Sequence, residues 1–331
     1  MSINTTMNRI RSGDLSFPPS AIDPLPPVYP FNPPSTLMRE LHVLFLQPIS
    51  MGPILSLGHL TADGSKSFES EIPQFGLGVF LANGPDCKQA VLWALDAGYR
   101  HIDTARAYEN EKQVGEAIRE SGIDRSEIFV TSKLRRFHAV GREDTIRRCN
   151  ESLENLGLEY MDLFLVHAPP KDPYHRKPTW QGMEDCLESG KVRAIGVSNY
   201  GAHHLDHMRS YARYLPSVNQ FEVHPWLQRP GLRAATEAIG AIPEAYSPLA
   251  RGKKFGDANL QRIAKKIGAS PAQVAIKWCI DQGCITIPKS TNKERIEENL
   301  SSLDLDISSV MNEISSLEEN FVSGWDPTAE P

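Results

Sequence analysis

The chain has 331 residues, 40% of them hydrophobic, and a formal net charge of −6. That length can bury a substantial core as two small domains or one large α/β barrel, while the acidic balance with dispersed Lys and Arg argues against nucleic acid as a partner. Cys87, Cys149, Cys186, Cys279 and Cys284 include no Cys-x-x-Cys pair, which argues against a zinc site and predicts reduced core thiols in a cytoplasmic protein.

In chain order, residues 18–34 hold eight of the 25 prolines, a composition that removes ladder donors and predicts an extended, disordered segment. Met1 onward shows no basic region running into an apolar core, so no secretory signal is expected. The apolar stretch Leu41 to Leu60 is broken by Pro48, Gly52, Pro53 and Gly58, and its runs are too short to span a bilayer.

From about Gly76 the pattern changes to short strands alternating with amphipathic helices. The strand candidates are "QFGLGV", "YRHID", "IFVTSK", "MDLFLVH", "VRAIGVS", "SVNQFE", "IPEAYS" and "ITIPK". Between them lie "CKQAVLWALDAG", "EKQVGEAIRESG", "EDTIRRCNESLENLG", "WQGMEDCLESG" and "PAQVAIKWCIDQG". Strand-helix alternation implies right-handed crossovers and a parallel sheet, and Gly98, Gly122, Gly157 and Gly190 stand where helices need a left-handed cap. About eight repeats favour a closed (β/α)8 TIM barrel over an open sheet. No strand is followed by Gly-x-Gly-x-x-Gly or a Walker-type loop, which disfavours a Rossmann or P-loop enzyme.

In such a barrel the chemistry lies where strands end at the C-terminal face. "YRHID" ends in Asp103, "IFVTSK" in Lys133, "MDLFLVH" in His167 and "VRAIGVSN" in Ser198 and Asn199. "VNQFE" ends in Gln220 and Glu222, "EAYS" in Tyr246 and "ITIPKS" in Lys289 and Ser290. A single such residue is more often a surface charge or a satisfied polar group; so many together point to a site. A lysine beside a tyrosine hydroxyl favours phenolate, and a nearby aspartate holds that lysine charged. Since an unperturbed tyrosine is a poor acid near neutral pH, Asp103, Tyr108, Lys133 and His167 read as a proton-donating group. His203 and His207 share one helical face in "HHLDH", for which a solvated surface is the expected reading.

The motifs "GYRHIDTARAYENEKQVGEAI", "FVTSK", "DLFLVHAP", "GKVRAIGVSNY", "NQFEVHPW", "EAYSPLARG" and "IPKSTNKERIEENL" resemble the aldo-keto reductases, in family order from about Ile72 to Leu300. "VHPWLQRP" and "GWDPT" look most like fungal members. The resemblance implies NADPH-dependent reduction of an aldehyde or ketone to the alcohol, with NADPH/NADP+ as cofactor and no metal. It implies Tyr108 as the acid, Lys133 and Asp103 as its tuning pair and His167 as the group orienting the carbonyl. Ser198, Asn199 and Gln220 would hold the nicotinamide carboxamide, Tyr246 would stack on the ring, and Ser247 and Leu249 would join the cofactor site. Lys289, Ser290 and Arg295 would meet the adenosine 2'-phosphate, and Glu298 and Asn299 the adenine.

Phe80 stands where many members carry Trp or Tyr, and Ala168 where a bulky aromatic is common; both imply a roomier or reshaped substrate pocket. The partner implied is a small carbonyl compound, with no membrane and a monomer or weak dimer as the assembly. The alternative on the same fold is a regulatory subunit that holds NADP(H) with little turnover.

The resemblance covers residues 51–331 as one barrel domain, with a hairpin closing the barrel's bottom ahead of the first strand. Residues 1–50 lie outside it and are expected to be dispensable, with initiation at Met51 as one route to their absence. A chain beginning at Met51 is expected to melt at the temperature of the full chain and to keep NADPH-dependent turnover. Loss of either in a thermal melt or activity assay would count against that boundary.

Overall fold

The computed structural model describes residues 52–61, 63–134 and 141–330. The Pro-rich segment and the proposed start at Met51 lie outside the described residues. The first two strands, β1 (Ile54–Leu60) and β2 (Lys66–Pro73), pair antiparallel. They form the hairpin expected ahead of the barrel.

Eight parallel strands follow in sequential neighbour order. They are β3 (Leu77–Gly78), β4 (His101–Asp103), β5 (Phe129–Leu134), β6 (Met161–Val166), β7 (Val192–Ser198), β8 (Val218–Glu222), β9 (Ile242–Tyr246) and β10 (Ile285–Ile287). Parallel bridges Phe75 to Thr286 and Gly78 to Lys289 close the sheet into a barrel. β5 and β6 are buried along their whole length, as strands covered on both faces must be, which is why they read as continuous apolar runs. The closure is tight: a Cβ on Gly76 would stand 2.7 Å from the His101 ring, and one on Gly78 would stand 3.0 Å from the Ile287 carbonyl oxygen. Only glycine lets β3 approach this closely.

The expected helices appear as α1 (Gly84–Ala97), α2 (Glu111–Glu120), α3 (Arg142–Leu156), α4 (Arg176–Glu188) and, later in the chain, α8 (Pro271–Asp281). Gly98, Gly122, Gly157 and Gly190 take positive φ values of 110°, 69°, 63° and 75°, ending these helices as expected. The helical reading of "HHLDH" falls on α5 (Ala202–Met208), whereas the sequence pattern does not single out α6 (Pro230–Glu237), α7 (Ala258–Lys266), α9 (Lys293–Leu300) or α10 (Met311–Ser315). Two of these have thin apolar stripes: α6 buries Thr236 alone, and α9 buries Ile296 and Asn299. On α5, His203 and His207 are exposed, whereas His204 is buried and its Nδ1 accepts the Gly201 amide at 2.9 Å.

Leu163, Leu165, Ala194, Val218 and Ile285 fill the barrel interior, and Leu57 and Ile72 of the hairpin pack against them from below. His59 latches the hairpin. Its Nδ1 donates to the Leu215 carbonyl at 2.8 Å, and its Nε2 accepts the Ile195 amide at 3.3 Å. Burial pushes this imidazole down to about 4, which keeps it neutral and able to fill both roles. All five cysteines are buried free thiols. No helix among the described residues is long and apolar enough to cross a membrane.

Candidate active site

The C-terminal ends of the strands surround a cleft of about 880 Å³. At its base Lys133, at the end of β5, is fully buried and donates from Nζ to Asp103 Oδ1 at 2.6 Å and to the Thr104 carbonyl at 2.9 Å. The second carboxylate oxygen of Asp103 accepts Gln220 Nε2 at 2.9 Å. Burial works against the Lys133 ammonium, but Asp103, with Tyr108 and Glu244 behind it, outweighs this and holds the lysine above its usual range, while burial pushes the Asp103 carboxyl up as well. A buried charge pair of this kind survives only because nearly every donor and acceptor is used.

Tyr108 stands above this pair on a single 3₁₀ turn, Arg106–Tyr108. Asn110 fixes the turn: its amide donates to the Val79 and Ala82 carbonyls at 2.9 and 2.8 Å, and its oxygen accepts the Thr104 hydroxyl at 2.6 Å. The loop after β4 is thereby tied to the loop after β3. The Tyr108 ring centroid lies 5.2 Å from Lys133 Nζ, 5.6 Å from the His167 ring and 5.0 Å from the Phe80 ring. The four residues read as a proton-donating group therefore converge, Lys133 and His167 beside the Tyr108 ring and Asp103 on Lys133.

A second polar network runs along β7 and β9. Asn199, in the left-handed region at φ 64°, donates to the His167 carbonyl and to Ser198 Oγ at 2.9 Å each. The Tyr246 hydroxyl donates to Asn199 Oδ1 at 2.8 Å, which pins the ring at the cleft wall. Burial, then the Glu222 carboxylate, push the Tyr246 phenol well above the usual tyrosine range, which makes it a poor proton donor.

The segment after β10 supplies Lys289, Ser290 and Arg295 to the cleft lining, with Glu298 and Asn299 following on α9. Asn292 caps α9 by accepting the Arg295 amide at 2.9 Å, so Arg295 is set in the first turn of that helix. Lys289 and Arg295 are exposed, and their cationic groups face a cleft wall next to a helix N-terminus, a setting that favours an anion.

Ser247 and Leu249 also line the cleft, as does Phe80, whereas Ala168 does not. Sequence reasoning missed Arg251 and Trp325. Arg251 holds its guanidinium carbon 5.8 Å from the Phe80 ring centroid. Trp325 arrives on the C-terminal tail, which is tied down by the Ser323 amide donating to Glu222 at 2.9 Å and by an Arg229–Asp326 ion pair at 2.7 Å. A lone tryptophan in the polar run "SGWDPT" was the available signal.

Comparison with known proteins agrees with this geometry. Residues 81–319 match the model of the Aldo/keto reductase family. The chain is 45% identical over 261 residues to a 9,11-endoperoxide prostaglandin H2 reductase of Trypanosoma cruzi, covering 77% of this chain and 91% of the relative. It is 43% identical over 259 residues to a glyoxal reductase of Bacillus subtilis, covering 78% and 93%. A crystal structure of a Bombyx mori aldo-keto reductase in complex with NADP superposes with a TM-score of 0.72 at 34% identity, over 82% of this chain and 95% of that one. With a barrel closed around a buried lysine-aspartate pair and relatives of this identity and coverage, the chain belongs to the aldo/keto reductase family.

Proposed function

We propose that this protein reduces an aldehyde or ketone to the alcohol with NADPH, using Tyr108 as general acid. The observation that carries the reading is the placement of Tyr108 between a buried, charged Lys133 and the His167 ring. A cation beside a phenol stabilises the phenolate left after proton transfer and so strengthens the acid.

The residues present fit the cofactor. Tyr246 offers a pinned ring, and Ser198, Asn199 and Gln220 offer polar groups at the ends of β7 and β8. Lys289, Ser290 and Arg295 offer cations and a hydroxyl at the start of α9 for a phosphate, with Glu298 and Asn299 beside them for the adenine. Bound there, reduced nicotinamide supplies the hydride. The chain's own part is to orient the carbonyl through His167, to deliver the Tyr108 proton to the carbonyl oxygen and to stabilise the resulting phenolate through Lys133. Phe80, Leu81, Arg251 and Trp325 bound the space in which the substrate sits. The motifs "VHPWLQRP" and "GWDPT" support a fungal-type member.

Steady-state oxidation of NADPH against a panel of aldehydes and ketones tests the reading. Turnover with any of them supports it; NADPH affinity with negligible turnover across the panel would instead identify a cofactor-holding subunit.

A further inference from the structure

β9 carries a carboxyl group that the chemistry above does not use. Glu244 stands two residues before Tyr246, on the same face of the strand and one layer deeper in the barrel. It is fully buried, and neither carboxyl oxygen has a hydrogen bond of ordinary geometry among the described residues; the Gln220 amide is the neutral donor that bears on it. An ionised carboxylate in that position is costly unless a cation answers it.

The groups that face it do not provide one. From β4, His101 Nε2 lies 3.9 Å from the carboxyl but is 3.0 Å from Thr131 Oγ1, and burial pushes this imidazole down to about 3, so it is neutral. Asp103 on the same strand brings negative charge. Lys133 on β5 is already committed to Asp103 and the Thr104 carbonyl. Gln220 on β8, in register with Glu244, donates to Asp103 and brings Glu244 a neutral amide rather than a charge. β10, paired on the other side, places Ile285 against it in register, which carries no charge. Burial, then the Asp103 carboxylate, push the Glu244 carboxyl up to about 8, and Gln220 and Lys133 pull the other way without reversing this.

We propose that Glu244 is a positioning residue, held as a neutral carboxylic acid beneath the Lys133–Asp103 pair, which leaves the lysine one carboxylate partner and so keeps its charge available to Tyr108. The proposal rests on Tyr108 being the acid. When Glu244 ionises, a second anion competes for the Lys133 ammonium, and the phenolate formed on proton transfer faces more negative charge. Tyr108 then gives up its proton less readily, and reduction slows as pH rises.

Glu244→Gln keeps the shape and cannot ionise, so it separates charge from packing. The wild-type rate of carbonyl reduction is expected to fall about tenfold, the effect of one unit of acidity in the donor, in a step centred near pH 8. Glu244→Gln is expected to be flat across that step. Difference infrared spectroscopy of the wild-type protein at neutral pH is expected to show the C=O stretch of a protonated carboxylic acid, missing from Glu244→Gln; this measurement needs no turnover. A superimposable pH profile in the variant, or no acid band in the wild type, overturns the proposal. If Tyr108→Phe retained turnover, the coupling to Tyr108 would fall with the proton-donor assignment. An acid band without the alkaline step, alongside an inactive Tyr108→Phe, would overturn this proposal and leave that assignment standing.

Discussion

Tyr108→Phe is expected to lower kcat for carbonyl reduction by about a hundred- to ten-thousand-fold, the range that a positioned general acid contributes, while NADPH still binds. The substitution removes one hydroxyl and keeps the ring. The packing of that ring against Phe80 at 5.0 Å and His167 at 5.6 Å therefore survives, and the turn that carries it is held by Asn110 rather than by the hydroxyl. The Lys133–Asp103 pair keeps its own hydrogen bonds. Fluorescence titration with NADPH, run beside the steady-state assay, separates loss of chemistry from loss of binding. Retention of most of the turnover would show that the proton comes from elsewhere.

The second large effect concerns cofactor choice. NADPH is expected to exceed NADH in catalytic efficiency by roughly a hundredfold. Charge-assisted contacts contribute about 1.5 to 3 kcal/mol each, and at the low end, suited to exposed Lys289 and Arg295, two of them give about a factor of ten apiece. On the proposed reading, the extra phosphate of NADPH would supply the anion for these side chains and the start of α9. Lys289→Ala combined with Arg295→Ala is expected to erase most of the preference by weakening NADPH while leaving NADH nearly unchanged. Comparable kcat/KM for both cofactors in the wild type, or an unaltered ratio in the double variant, would place the phosphate elsewhere.

Much of this architecture was legible because each layer of a parallel barrel leaves its own trace. Strands buried on both faces read as apolar runs, glycines mark the helix ends, and the residue at the close of each run falls on the chemical face. Asp103, Lys133, His167, Asn199 and Tyr246 were found that way, and the structure brings them together. Glu244 was not, because attention to strand ends passes over a residue two positions inside; the signal was a carboxyl group within a run that a barrel interior should keep apolar. Arg251 and Trp325 escaped for another reason. Their place at the cleft depends on loop conformation and on a tail returning across the molecule, neither of which has a period. The short helices α6 and α9 bury too few apolar side chains to raise a 3.6-residue pattern.

The hairpin floor also governs where protons travel. Leu57 and Ile72 pack the lower end against a layer of aliphatic side chains, an apolar layer that disfavours water beneath Tyr108. If Tyr108 is the acid, as proposed, each proton it gives to a product would be replaced from the cleft mouth by which substrate enters. Recharging of the phenol would then be tied to the vacating of the cleft, so that proton uptake and product departure would belong to one event in the cycle, and a bulky product that lingers would delay both.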